Sequence, residues 1–153
     1  MVIKLFEFAR YLFAGIGFYL AYLPNSSIYS STNLLIIWVV IPIAGMTAIE
    51  SLFFSKETAL AKGREAGSAY QIQSGFNNLS VAIAGGVVYL LHWGAYANLA
   101  VLMVLLIFLF LSALNHTYEY FISKNLRKIH IIRLLLTLIL IGASIPFYLD
   151  APR

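Results

Sequence analysis

The sequence contains no cysteine and few charged residues. Of its 153 residues, 10% are charged and 61% are hydrophobic. The absence of cysteine excludes disulfides, thiolate catalysis and cysteine-ligated metal sites. Soluble domains usually carry about 25% charged residues, and a soluble chain of this length could not bury so much apolar surface in one core, whereas a bilayer can. The composition therefore predicts an all-α integral membrane protein that forms a single domain over residues 1–153.

The sequence also lacks a basic surface of the kind that binds nucleic acid. Its net charge is +4, but its ten Lys and Arg residues lie mainly in short connections between apolar segments. Basic residues in such connections are typical of the cytoplasmic loops of membrane proteins. Phosphate-binding loops, serine-hydrolase elbows and zinc-peptidase motifs are missing too. We therefore expect the lipid bilayer as a partner, and no nucleic acid.

Five apolar segments are long enough to cross a membrane. They cover residues 5–23, 34–54, 69–91, 95–120 and 131–149. Each is close to the ~20 residues that an α-helix needs to cross ~30 Å of hydrocarbon. The first is the weakest, because Glu7 and Arg10 lie in its early turns, where we expect them to pair at the membrane interface. Pro42 is expected to bend the second. The sequence therefore predicts a bundle of five transmembrane helices.

The basic residues predict how these helices are oriented. Nine of the ten lie near the N-terminus or in the connections 55–68 and 121–133, whereas the connections 24–33 and 92–94 contain none. Positive charge is enriched in cytoplasmic loops. We therefore expect a cytoplasmic N-terminus and a C-terminus outside. In a bacterium this places the chain in the cytoplasmic membrane.

Polar side chains recur at helical spacing on the second, third and fourth segments. The residues on these faces are Thr47, Glu50 and Ser51, then Gln71, Gly75 and Asn78, then Ser112, Asn115, His116 and Glu119. Several lie within about 10 Å of the cytoplasmic helix ends, at ~1.5 Å per residue. Because ionised carboxylates and unpaired amides are costly in hydrocarbon, these groups should face one another or water. We therefore expect a cytoplasm-facing polar pocket, which is lined by Glu50, Gln71, Asn78, Asn115, His116 and Glu119.

The chemistry of this pocket leaves three functions open. Two carboxylates and an imidazole suit a divalent metal ion, so Glu50, His116 and Glu119 are candidate metal ligands in a transporter or a protein that binds a small molecule or ion. The same three residues are candidate catalytic groups in a membrane-embedded enzyme acting on an amphipathic substrate, because a Glu–His pair can exchange protons near neutral pH. In a structural or accessory subunit, the amides would only hydrogen-bond across helices. Small residues on the third segment would allow a homo-oligomer.

Residues 68–80 read Ser-Ala-Tyr-Gln-Ile-Gln-Ser-Gly-Phe-Asn-Asn-Leu-Ser. This stretch resembles the signature of an uncharacterised family of small multi-pass bacterial membrane proteins, in which a Gln-x-x-x-Gly-x-x-Asn-Leu core opens a helix and a later helix carries a histidine near its end. The corresponding positions here are Gln71, Gly75, Asn78, Leu79 and His116. The resemblance implies a helical membrane protein of unknown activity. The chain is also similar to DoxX-like four-helix proteins in size and helix count.

Overall fold

The computed structural model describes residues 2–24, 27–62, 69–122 and 129–151. These residues form six helices: α1 Val2–Ala21, α2 Ile28–Phe53, α3 Ser55–Lys62, α4 Ala69–Leu90, α5 Ala95–Ile122 and α6 Ile129–Leu149. No strand occurs in these four stretches. The predicted all-α class is therefore confirmed.

Three of the helices are long and apolar enough to cross a membrane. They are Ile28–Phe53 in α2, Ala95–Ile122 in α5 and Ile131–Leu149 in α6. The α1 and α4 helices have comparable lengths of 20 and 22 residues, but α1 carries three charged side chains and α4 carries several amides. The three apolar helices indicate a multi-pass membrane protein.

The predicted segments agree closely with four of the helices and less well with α2. The α4, α5 and α6 helices begin and end within two residues of the predicted segments, and α1 is shifted toward the N-terminus by two or three. The α2 helix begins at Ile28 rather than at residue 34. In addition, the predicted connection 55–68 contains the short helix α3. Polar residues therefore extend α2 at its start and form most of α3, where a hydropathy pattern gives no sign of a helix.

A serine cap explains the early start of α2. Ser27 has an extended backbone, and its side-chain oxygen accepts a hydrogen bond from the backbone N–H of Ser30 at 3.1 Å. This arrangement satisfies one of the N–H groups that a helix leaves unpaired in its first turn. Ser31 then donates to the carbonyl oxygen of Ala21 at 2.9 Å, which joins α2 to the end of α1.

We expect Ser27→Ala to lower the free energy of unfolding by about 1 kcal/mol, because the capping oxygen is lost. Thermal unfolding of the protein in detergent measures the change. Ser30→Ala is the matched control, since this substitution keeps the backbone N–H that receives the cap. Equal losses in the two variants would show that the cap does not stabilise α2.

A wide turn inside α2 accommodates Pro42. The segment Ile36–Val40 is π-helical, and Pro42 lies directly after it, in the first turn of the α-helical segment Ile41–Phe53. A proline inside a regular α-helix lacks the N–H of one hydrogen bond, and its ring clashes with the carbonyl four residues earlier. The bend predicted at Pro42 stays a prediction, and the structure shows a π-helical turn before it, a common feature at functional sites.

The α2 helix lies at the centre of the bundle and packs against α1, α4 and α5. Its side chains Leu35, Ile36, Val39 and Val40 are almost completely buried. The α6 helix packs along α5 and also contacts α1, since Tyr22 beyond the end of α1 donates to the carbonyl oxygen of Ala143 at 2.6 Å. The helices therefore surround a common interior.

Candidate functional site

A polar cavity of about 90 Å³ lies within the bundle, and all six helices contribute to its wall. This volume is sufficient for several water molecules or a ligand of a few heavy atoms. The wall residues with hydrogen-bonding side chains are Arg10, Tyr11, Thr47, Ser51, Tyr70, Gln71, Ser74, Asn78, Ser112, His116, Arg133 and Thr137. The bundle thus encloses a site with many hydrogen-bond donors and acceptors in its wall.

A buried ion pair joins α1 to α2 beside this cavity. Arg10 Nη2 pairs with Glu50 Oε1, and Arg10 Nη1 donates to Thr47 Oγ1 at 3.2 Å. The side chains of Arg10 and Glu50 are 7% and 0% exposed. A buried ion is stable only when another charge and hydrogen bonds compensate its lost hydration. Glu50 therefore balances the guanidinium that Arg10 brings into the bundle.

A second ion pair joins α1 to α6 and reaches α5. Arg133 Nη2 donates to Glu7 Oε1 at 3.0 Å, and Arg133 Nη1 lies 3.0 Å from His116 Nε2. Because a guanidinium has no acceptor atom, Arg133 must be the donor to the imidazole, and His116 Nε2 carries no proton. His116 is therefore neutral in this arrangement.

These contacts correct the prediction that Glu7 and Arg10 pair with each other at the membrane interface. Arg10 pairs with Glu50 of α2, and Glu7 pairs with Arg133 of α6. The reason is that α2 and α6 both approach the N-terminal half of α1. Arg10 and Glu7 thereby each pair with an opposite charge on another helix.

Two amides of α4 complete the polar part of the wall. Gln71 Nε2 donates to the carbonyl oxygen of Ser55 at 2.8 Å, at the start of α3. Asn78 is 1% exposed, and its Nδ2 donates to the carbonyl oxygen of Ser74 at 2.8 Å. Among the described residues, Asn78 Oδ1 and Arg10 Nε are buried and have no hydrogen-bond partner. Two wall residues of the described chain therefore each keep a buried polar atom without a partner, and Glu50 beside the wall does so at its Oε2.

The structure brings together most of the residues predicted to line the pocket. Gln71, Asn78 and His116 lie in the wall, and Glu50 contacts the wall residue Arg10. Asn115 does not lie in the wall, because its side chain is exposed on the outer side of α5. Ser112 and His116 face inward one turn apart, which leaves Asn115 at the margin of that face. The side chain of Glu119, also predicted to line the pocket, lies outside the described part of the chain.

Sequence reasoning missed the two arginines of the wall. Arg133 seemed to belong to a cytoplasmic connection, and Arg10 to the membrane interface. In the structure α6 begins at Ile129, so Arg133 lies one turn inside it and precedes the wall residues Thr137 and Leu140 at helical spacing. That spacing was visible in the sequence. The spacing alone assigns Arg133 to the inner face of α6. This assignment was missed because the positive charge was used only to predict the orientation of the helices.

The predicted metal site receives no support from the side chains that the structure describes. No group of three His, Cys, Asp or Glu residues in those stretches could hold a metal ion. Glu50 is paired with Arg10, and His116 accepts from Arg133, whose positive charge opposes the approach of a cation. The third predicted ligand, Glu119, is outside the described side chains. A metal site that includes Glu119 stays a prediction.

Comparison with known proteins identifies a family. A model of the family of unknown function DUF6790 matches residues 7–149, which include every wall residue of the cavity and both ion pairs. This match agrees with the predicted resemblance to an uncharacterised family. It gives no support to the DoxX-like similarity. No curated protein and no solved structure matches the chain.

Proposed function

We propose a function from the cavity itself, because the chain belongs to the DUF6790 family, whose function is unknown. In this proposal the chain crosses the membrane five times, through α1, α2, α4, α5 and α6. Its N-terminus is cytoplasmic and its C-terminus lies outside. The cavity binds a small, uncharged polar molecule within the membrane, as a transporter would.

The placement of polar side chains supports α1 as a fourth span. Its length of 20 residues corresponds to about 30 Å of helix, the thickness of the hydrocarbon. Of its ionisable residues, Arg10 is buried and Glu7 is half-buried in an ion pair, whereas the exposed Lys4 is near the helix end, where a membrane surface would solvate it. The charges that make α1 less apolar than α5 thus need not contact lipid.

Two of the amides of α4 support it as a fifth span in the same way, whereas Gln73 and Asn77 face outward. Gln71 and Asn78 face the cavity, and Gly75 packs against Leu52 of α2. The two long connections on the N-terminal side, 55–68 and 121–133, carry basic residues, which favours that side as cytoplasmic. Gln71 and His116 lie toward those connections. The cavity is accordingly nearer the cytoplasmic surface.

The charges around the cavity favour an uncharged ligand. Among the described side chains, Arg10 and Arg133 are each paired with one carboxylate, so these two positive and two negative charges sum to zero, and His116 accepts from Arg133 as a neutral imidazole. An added cation or anion would enter a buried and already balanced site without a counter-ion, at a cost of several kcal/mol. A neutral molecule avoids this cost.

The observation that carries the proposal is the pair of buried polar atoms without a partner. In the described part of the chain, Asn78 Oδ1 lacks a donor and Arg10 Nε lacks an acceptor. Each unsatisfied buried group costs about 1–3 kcal/mol. An amide or alcohol both donates and accepts hydrogen bonds, so a molecule of this class is suited to an unsatisfied acceptor and an unsatisfied donor.

The geometry favours binding over acid–base catalysis. The enzyme hypothesis requires a Glu–His pair that exchanges protons. However, Glu50 contacts Arg10, and His116 Nε2 accepts from Arg133. Glu50 and His116 thus each already contact an arginine, and Glu119, the other candidate carboxylate, lies outside the described side chains. Polar sites between membrane helices are where many transporters bind their substrates, which is why we propose a transport role.

Acetamide is a suitable probe, because it is neutral, has four heavy atoms, and carries one donor group and one acceptor. We expect acetamide to raise the melting temperature of the native chain in detergent but not that of Asn78→Leu, in which the acceptor is lost. At ten times its Kd a ligand stabilises the folded state by about 1.4 kcal/mol. Acetate and methylammonium, which are similar in size but charged, should have no specific effect.

Asn115→Leu is the matched control, since it makes the same substitution on the exposed side of α5 and should keep the response to acetamide. An equal shift in the native chain and in Asn78→Leu would mean that acetamide acts only as a cosolvent. A specific response to acetate, methylammonium or Mn²⁺ alone would replace the neutral ligand with an ion.

A further inference from the structure

The α4 helix has a second polar face, which points away from the bundle. Gln73, Asn77 and Ser80 are exposed and follow one another at intervals of four and three residues. At about 100° per residue, they lie on the side of α4 opposite to Gln71 and Asn78. We name Gln73, Asn77 and Ser80 the amide face. Neither the cavity nor the packing against α2 makes use of it.

The amide face extends deep into the membrane if α4 is a span. Counted from Ala69 at 1.5 Å per residue, Asn77 lies about 12 Å and Ser80 about 16 Å along the helix. The middle of a ~30 Å hydrocarbon layer is at about that depth. Ser80 Oγ donates to the carbonyl oxygen of Phe76 at 2.9 Å, so its hydroxyl is satisfied within the helix.

The amides of Gln73 and Asn77 are different, because their side chains make no hydrogen bond among the residues that the structure describes. An unpaired amide in hydrocarbon costs several kcal/mol. The exposed side of α6 shows what contact with lipid requires, since Leu135, Leu138 and Ile139 there are all apolar. The amide face therefore needs a partner that offers both donors and acceptors.

We infer that the amide face packs against the same face of a second copy of this chain. An amide carries both a donor and an acceptor, so identical faces related by a two-fold axis satisfy each other. Small residues continue the face in both directions, with Ala69 before Gln73 and Ala84 after Ser80. Such residues allow two membrane helices to approach closely. Acyl chains offer no hydrogen-bonding group, so lipid cannot take this place.

This inference rests on one part of the proposed function, that α4 spans the membrane, and not on the ligand of the cavity. Since the natural sequence has no cysteine, a single introduced thiol can be cross-linked without background. We expect Asn77→Cys to form a disulfide-linked dimer when membranes are oxidised with copper phenanthroline. Ile139→Cys, on the exposed apolar side of α6, is the matched control and should remain monomeric.

A second measurement covers the case in which cysteine disturbs the contact. In detergent, light scattering should find a dimer of the native chain. The dimer of the variant Gln73→Leu/Asn77→Leu should be about tenfold weaker, because interhelical hydrogen bonds contribute on the order of 1–2 kcal/mol. It should therefore dissociate after less dilution of the protein with detergent than the native dimer. An unchanged dimer in that variant would overturn the inference.

The remaining outcomes separate this inference from the proposed five spans. If Asn77→Cys does not form a dimer and the native chain is monomeric by light scattering, the interface with a second copy is refuted and the five spans stand. If a water-soluble maleimide labels Asn77→Cys in intact membranes, α4 is not embedded, and both the interface and the five-span proposal fail.

Discussion

Replacing Glu50 with alanine is expected to lower the free energy of unfolding by about 3–5 kcal/mol. The substitution leaves the guanidinium of Arg10 buried, with its hydrogen bond to Thr47 but without a carboxylate. Removal of one partner from a buried ion pair is costly because the remaining charge has lost its hydration. Thermal unfolding or SDS titration of the protein in detergent would measure the loss.

Two controls test whether the loss comes from the unpaired charge. Glu57→Ala removes a carboxylate from an exposed position of α3, and it should change stability by less than about 0.5 kcal/mol. Arg10→Leu/Glu50→Leu removes both charges and should recover most of the stability, since apolar replacements of buried pairs are often neutral or stabilising. If the double variant is as unstable as the sum of the two single variants, the charges do not act as a pair.

Gly17→Ala is expected to cost about 1–3 kcal/mol, because α1 and α2 touch at this position. A Cβ atom at Gly17 would lie 2.6 Å from Trp38 Cβ and 3.3 Å from the carbonyl carbon of Trp38. These atoms belong to the backbone of α2 or are attached directly to it, so a rotation of the Trp38 side chain cannot relieve the clash. The two helices would have to separate, which would also strain the Arg10–Glu50 pair.

Gly15→Ala provides the control on the same helix. No atom lies within 4 Å of the place where its Cβ would be. Alanine should be neutral here or stabilise the helix by about 0.5–1 kcal/mol, because it has less conformational freedom to lose on folding than glycine. Unfolding measured under one set of detergent conditions compares the two variants. Similar stabilities of Gly15→Ala and Gly17→Ala would contradict the close contact of α1 and α2.

Much of the architecture could be predicted from hydropathy alone. The segments that became α4, α5 and α6 were bounded correctly to within two residues. Their ends coincide with polar, glycine or charged connections, where an apolar run must stop. The start of α2 could not be found in this way, because it depends on the hydroxyl of Ser27 and not on apolar residues. The short helix α3 could not be found from hydropathy either, because its sequence is mostly polar.

The candidate site could be predicted only in part. Helical spacing placed Gln71, Asn78 and His116 on inward faces, as the structure shows. Spacing within one helix cannot show which charges from different helices meet, however, so the partners of Arg10 and Arg133 required the packed structure. The expected local pair of Glu7 and Arg10 gave way to two pairs between helices, because the bundle brings α2 and α6 against α1.

Both ion pairs involve α1, the predicted span that carries the most charged residues. Arg10 holds it to α2, and Glu7 holds it to α6. The charges that would oppose insertion of α1 on its own are thus compensated once the other helices are present. In the same packing, Arg10 and Arg133 are brought to the wall of the cavity. Assembly of the bundle and construction of the candidate site therefore depend on the same residues.

The accessibility of a thiol at position 78 tests most directly whether a polar site lies inside the membrane bundle and opens toward the cytoplasm. The two variants are Asn78→Cys, in the cavity, and Val104→Cys, on the exposed apolar side of α5. We predict that a small water-soluble methanethiosulfonate labels position 78 from the cytoplasmic side of oriented vesicles and does not label position 104. Labelling of position 78 only by a lipid-soluble reagent would contradict the account.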